Sequence, residues 1–83
     1  MHNVNEIKAK VIRCFSSVFP DLSEQEIYRA STASVAAWDS VAHVTLLATI
    51  AEAFGQSFEL EDFEELVSYS LIMNRLENPS PDA

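Results

Sequence analysis

Only one glycine and three prolines punctuate these 83 residues, and two of the prolines, Pro79 and Pro81, stand in the last five. Strand-and-turn architectures need more breakers than this, so the chain is constrained to helices. Val4, Ile7, Val11, Cys14 or Phe15, and Val18 recur at steps of three or four with Asn5, Lys8 and Arg13 between them, which predicts an amphipathic first helix ending before Pro20. From Asp21 to Trp38 apolar residues thin out and a long connection is expected, pinned by Leu22, Ile27, Val35 and Trp38. Within it Ser23-Glu24-Gln25-Glu26 reads as a capping box opening one short helical turn. The next helix opens at Asp39-Ser40, where either side chain suits an N-cap, and runs to Phe54, stopped by Gly55. Its expected inward face is Val41, Val44, Leu47, Ala48, Ala51 and Phe54, widened by Leu46, Ile50 and Ala53. Phe58 and Leu60 are expected to enter the core before an acidic turn, Glu61 to Leu66. Ser68 then caps a final helix with Tyr69, Ile72, Met73 and Leu76 inward, and a disordered tail is expected over 78–83. The expected fold class is all-α: a four-helix bundle of three longer helices and one short, with a long first loop, in a single domain over 1–77.

Charge narrows what such a domain meets. Thirteen Asp and Glu face five Lys and Arg, a formal net charge of -8, while 48% of residues are hydrophobic. The hydrophobic fraction suffices for a core, but a fold of this length has little volume left for a deep catalytic pocket, which favours carrying or binding over catalysis. A surface this negative repels phosphate backbones and anionic lipid heads, so neither nucleic acid nor membrane is an expected partner. It attracts basic protein surfaces, and the same charge favours a monomer. A single cysteine, Cys14, permits no internal disulfide and is expected to be an inert core residue. No basic-plus-apolar leader and no stretch of about 18 apolar residues is present, so a soluble protein of the reducing cytoplasm is expected.

The stretch Trp38-Asp39-Ser40-Val41-Ala42-His43 resembles the attachment signature of acyl carrier proteins, Asp-Ser-Leu at the start of their second helix. The order of the remaining elements follows the same pattern over roughly residues 4–77: first helix, long loop, helix ending at Phe54-Gly55, acidic Phe63-Glu64-Glu65-Leu66 turn, Ser68 helix. One departure is Val41 where leucine is usual. The resemblance implies an acyl-carrier-like four-helix bundle whose serine, here Ser40, is joined through a phosphodiester to 4′-phosphopantetheine drawn from coenzyme A. The thiol of that arm carries an acyl, polyketide or aminoacyl group as a thioester in lipid or secondary-metabolite biosynthesis. The implied partners are a phosphopantetheinyl transferase and the ligases, synthases or transferases that load and receive the cargo. Asp39, Val41, Val44, Ala48 and Glu52 are the expected partner contacts. Phe15, Leu46, Ile50, Phe54, Phe58 and Ile72 are the core residues expected to part around a bound chain. Carriers of general fatty-acid synthesis bear several carboxylates on the helix after the serine, whereas this helix has only Glu52, so a dedicated pathway is the expectation.

Other readings of the same residues differ in class. Ser40 as a plain cap would make the chain an unmodified interaction module that docks by its acidic helices. Ser40 and His43, one turn apart, invite a hydrolase, for which no orienting acid or oxyanion donors are apparent. Asp39 and His43 at i and i+4 invite a metal, although two mixed ligands make a poor site and a surface histidine is expected instead; no metal is assigned. Glu59, Glu61, Asp62, Glu64 and Glu65 lack the order of a calcium loop and read as a solvated acidic face that steers basic partners.

Overall fold

A computed structural model describes residues 3–78 and shows an all-α chain. Five helices lie among those residues: α1 Val4–Val18, α2 Glu24–Tyr28, α3 Ser40–Phe54, α4 Leu60–Glu65 and α5 Tyr69–Glu77. Three are long and two short, one more than expected, because the acidic turn closes into α4. There Asp62 accepts the N–H of Glu59, the residue preceding the helix, at 2.7 Å and so satisfies a donor the first turn leaves open. The capping box expected before α2 is complete, with Ser23 and Glu26 each taking the other's N–H, at 3.2 and 2.8 Å. The Glu26 carboxyl is held below its ordinary value, chiefly by the backbone hydrogen bond from Ser23. Asn3, Asp39 and Ser68 cap α1, α3 and α5 by the same chemistry.

Packing of α1 against α3 and α5 builds the core. Ile7, Val11, Cys14 and Phe15 of α1 meet Leu46, Leu47 and Ile50 of α3 and Tyr69, Ile72, Met73 and Leu76 of α5, all buried. Phe15 is the aromatic hub, with Phe19, Trp38 and Tyr69 rings centred 5.4 to 6.2 Å from it. The long connection is well fastened. Ile27 and Trp38 are buried, Leu22 and Val35 half-buried, and Ser31 forms an isolated antiparallel bridge with Ser68. The Thr32 N–H donates to the Val67 carbonyl and the Tyr69 N–H to the Ala30 carbonyl, both at 3.0 Å, tying the loop to the entrance of α5.

Two expectations are corrected. Leu60 does not enter the core: it is 76% exposed at the first position of α4, while Phe58 is half-buried. The inward face of α3 is Leu46, Leu47 and Ile50; Val41, Val44, Ala48 and Ala53, expected inward, are exposed. Asn78 caps α5, its N–H bonded to the Asn74 carbonyl at 2.9 Å, and the rest of the expected tail lies outside the described residues. No helix among the described residues is long and apolar enough to cross a membrane.

Candidate functional site

The Asp39-Ser40 step is built from three kinds of contact. Trp38, only 3% exposed, packs against Phe15 and Phe19 and fixes the chain just before the helix. Asp39 is the N-cap: its carboxylate accepts the Ala42 N–H at 2.9 Å, and its carbonyl accepts the His43 N–H at 2.8 Å. Ser40 is therefore the first helical residue and not the cap. Its side chain is exposed, with no hydrogen-bond partner among the described residues. The N–H groups of Ser40 and Val41 are likewise unspent, pointing from the start of a 15-residue helix with the partial positive charge of its dipole. An exposed hydroxyl beside two open N–H donors fits a phosphodiester; Asp39, already spent on the cap, adds the one nearby negative charge in sequence.

His43 is not a surface histidine. It is half-buried, and both ring nitrogens are engaged: the Trp38 indole N–H donates to Nδ1 at 2.9 Å, and Nε2 lies 2.7 Å from the Phe63 carbonyl oxygen. An indole N–H only donates and a carbonyl only accepts, which fixes the ring as the tautomer protonated at Nε2. Neither nitrogen is then free to take a proton from Ser40 or to bind a metal with Asp39, so the geometry offers neither the hydrolase dyad nor the two-ligand site. Among the described residues no three His, Cys, Asp or Glu side chains come together as metal ligands. The sequence signal for this contact was the spacing of Trp38 and His43: one before the cap, the other at the fourth helical position, the two places that staple a helix start.

Val41, Val44, Ala48 and Glu52 are all exposed, and helical spacing puts them on the outward side of α3; Val41 is 76% and Val44 55% exposed. Asp39 is exposed at the head of that side. Of the residues expected to receive a bound chain, Phe15, Leu46, Ile50 and Ile72 have no solvent exposure, and Phe54 and Phe58 sit half-buried at the rim. They are brought together in one core rather than around an open pocket.

The acidic run divides in two. Glu59, Glu61, Glu64 and Glu65 are exposed, but Asp62 is buried and pairs through both carboxylate oxygens with the Arg75 guanidinium of α5. Burial alone would raise the Asp62 carboxyl; the Arg75 hydrogen bonds, the Glu59 N–H and the Arg75 charge outweigh it and hold the group below the usual aspartate value. Asp62 is thus a fastener of α4, not part of the solvated face. Cys14 is buried, and burial pushes its thiol upward against the weaker pull of Arg13 and Lys10, which disfavours the reactive thiolate. No family model, no curated protein and no solved structure matches the chain.

Proposed function

We propose that this chain is an acyl-carrier-type domain: Ser40 receives 4′-phosphopantetheine, and the loaded domain presents a thioester-bound intermediate to separate enzymes of a dedicated biosynthetic pathway. The bundle would then be the acyl-carrier-like one, in which the two short helices are connections that have closed on their own caps. The observation that carries the reading is the placement of Ser40, at the first turn of α3 with an unbonded, exposed hydroxyl, in the sequence setting Trp38-Asp39-Ser40-Val41-Ala42-His43.

When bound, the arm supplies a thiol on which cargo is carried. The chain's own residues do the rest. Asp39 spends its carboxylate on the Ala42 N–H and holds the first turn closed. The Ser40 and Val41 N–H groups, open at the helix start, would donate to a phosphate attached there, a favourable contribution of about 0.3–1 kcal/mol at an exposed helix end. Val41, Val44 and Ala48 supply an apolar strip beside the arm for a partner enzyme, and Asp39 and Glu52 with the exposed glutamates of the α4 region steer basic partner surfaces toward it. No residue of the chain need act as acid, base or nucleophile in the downstream chemistry.

The test is an intact mass spectrum after incubation with coenzyme A and a broad-specificity phosphopantetheinyl transferase. The expected result is a gain of one phosphopantetheinyl group in the parent and none in Ser40→Ala. A folded parent that stays unmodified by several transferases overturns the proposal and leaves an interaction module as the reading.

A further inference from the structure

His43 occupies a position that the attachment chemistry does not itself explain. It is the fourth residue of α3, and Trp38, its indole partner, lies immediately before the Asp39 cap. Their hydrogen bond closes a loop of side chains around the segment that contains Ser40. A staple at these two positions is ordinarily two apolar side chains in van der Waals contact. Here it is directional: the ring must accept at Nδ1, and so it donates from Nε2 to the Phe63 carbonyl, 20 residues on and in α4. The rings also meet along the same path, His43 centred 5.8 Å from Trp38 and tilted against it, and 6.1 Å from Phe63, edge-on. On its far side Trp38 lies against Phe15 and Phe19. The turn bearing Ser40 is therefore clamped between the aromatic cluster of α1 and the backbone of α4.

The α4 end of this clamp has few other supports. A six-residue helix is far too short to hold itself in water, so its seat depends on tertiary contacts. Among the described residues, its polar contacts across the fold are the His43–Phe63 bond and the Asp62–Arg75 pair.

We infer that His43 is the positioning residue of the Ser40 turn: as the tautomer protonated at Nε2 it links the Trp38 indole to the Phe63 carbonyl, so that the seating of α4 sets how Ser40 is presented to the enzyme that modifies it. The inference rests on the reading of Ser40 as the attachment serine. His43 itself touches no reacting atom. In the modification Ser40 Oγ forms the new bond to phosphorus, coenzyme A loses 3′,5′-ADP, and the serine proton passes to a base of the transferase. What His43 contributes is the fixed position of the attacking oxygen, and a displacement of about 1 Å at a reacting group costs as much as a hundredfold in rate.

The experiment compares His43→Leu, which removes acceptor and donor together, with His43→Gln, whose amide restores one of each, and with Trp38→Phe, which keeps an aromatic ring but removes the indole donor together with part of the buried ring. Nitrogen NMR of the parent imidazole is expected to show the Nε2–H tautomer. In His43→Leu the amides of Ala42 and His43's replacement, both bonded to Asp39 in the parent, are expected to exchange with solvent about tenfold faster, with modification by the transferase about tenfold slower at subsaturating protein. Trp38→Phe is expected to move both readouts the same way, and His43→Gln to return both toward the parent. The other tautomer, or folded His43→Leu and Trp38→Phe chains with parental exchange and parental rate, overturns the inference. Should His43→Leu not fold, Trp38→Phe and His43→Gln decide it by the same two readouts. A parent that the transferase never modifies overturns the reading of Ser40 and the link to presentation with it, whereas exchange and tautomer still show separately whether the clamp exists.

Discussion

Asp39 and Ser40 are adjacent, polar and both suited to a helix start, yet they divide the work completely. The carboxylate is consumed by the helix, while the hydroxyl has no partner among the described residues. Asp39→Ala is therefore expected to lose about 1 kcal/mol of stability in urea denaturation, the usual cost of deleting a cap, with Asp39→Asn recovering most of it. Ser40→Ala is expected to stay within about 0.5 kcal/mol of the parent, since the exposed hydroxyl has no intramolecular bond to lose. That contrast makes Ser40→Ala a clean probe of modification. The Asp-Ser step is visible in the sequence because short polar residues before an apolar periodic run mark a helix start; which of the two caps is not, since both are favoured cap residues and a start one residue later fits the same pattern. His43 and Asp62 were misread for one reason. Neither local setting marks burial, Asp62 lying in an acidic run and His43 on a helix with no single apolar stripe, and the partners that engage them, Arg75 and the Phe63 carbonyl, stand 13 and 20 residues away.

At the scale of elements, α5 follows its sequence pattern and α1 does so from Ile7 onward, Val4 at its start being 54% exposed, because each alternates apolar and polar residues at helical spacing and leaves a single choice of buried stripe. α3 does not. Nearly every position from Val41 to Phe54 is apolar or small, so the period identifies a helix but not which side of it turns inward. The structure buries Leu46, Leu47 and Ile50 and leaves Val41 and Val44 outside. Leu46→Ala is accordingly expected to cost about 2–5 kcal/mol, a transfer loss plus a cavity, while Val44→Ala changes stability by about 0.5 kcal/mol or less. Thermal or urea unfolding of the two variants measures the difference; equal losses would mean that the outward strip is packed against something in the folded chain. The short helices are half-visible: the Ser23–Glu26 box announces α2, whereas α4 begins at Leu60 after Glu59, not a customary cap, and its sequence suggests only a turn.

Across the whole molecule charge is unevenly spread. α1 carries Lys8, Lys10 and Arg13, three of the five cations, with Glu6 alone of the thirteen acids, so the field of the remaining chain is more negative than the total suggests. That polarity orients an approaching basic partner as well as attracting it. One acid works inward. Because the folded state holds the Asp62 carboxyl below its ordinary value, its contribution is full above that value, about 4, and is lost as pH falls further toward the depressed one. Arg75→Met strands the buried carboxylate and is expected to cost about 3 kcal/mol near neutral pH. The gap between parent and variant should narrow on acidification in two stages, first above about pH 4 as the variant's stranded carboxyl, raised by burial, takes a proton, and then below about pH 4 as the parent gives up its ion pair; urea midpoints at several pH values measure it. Trp38 is the chain's one tryptophan, and it sits two residues before Ser40 with its indole bonded to the same helix turn. The protein thus carries its own fluorophore at the site, and its unlabelled emission should report any event that disturbs that turn, whether attachment at Ser40, docking of an enzyme, or release of α4.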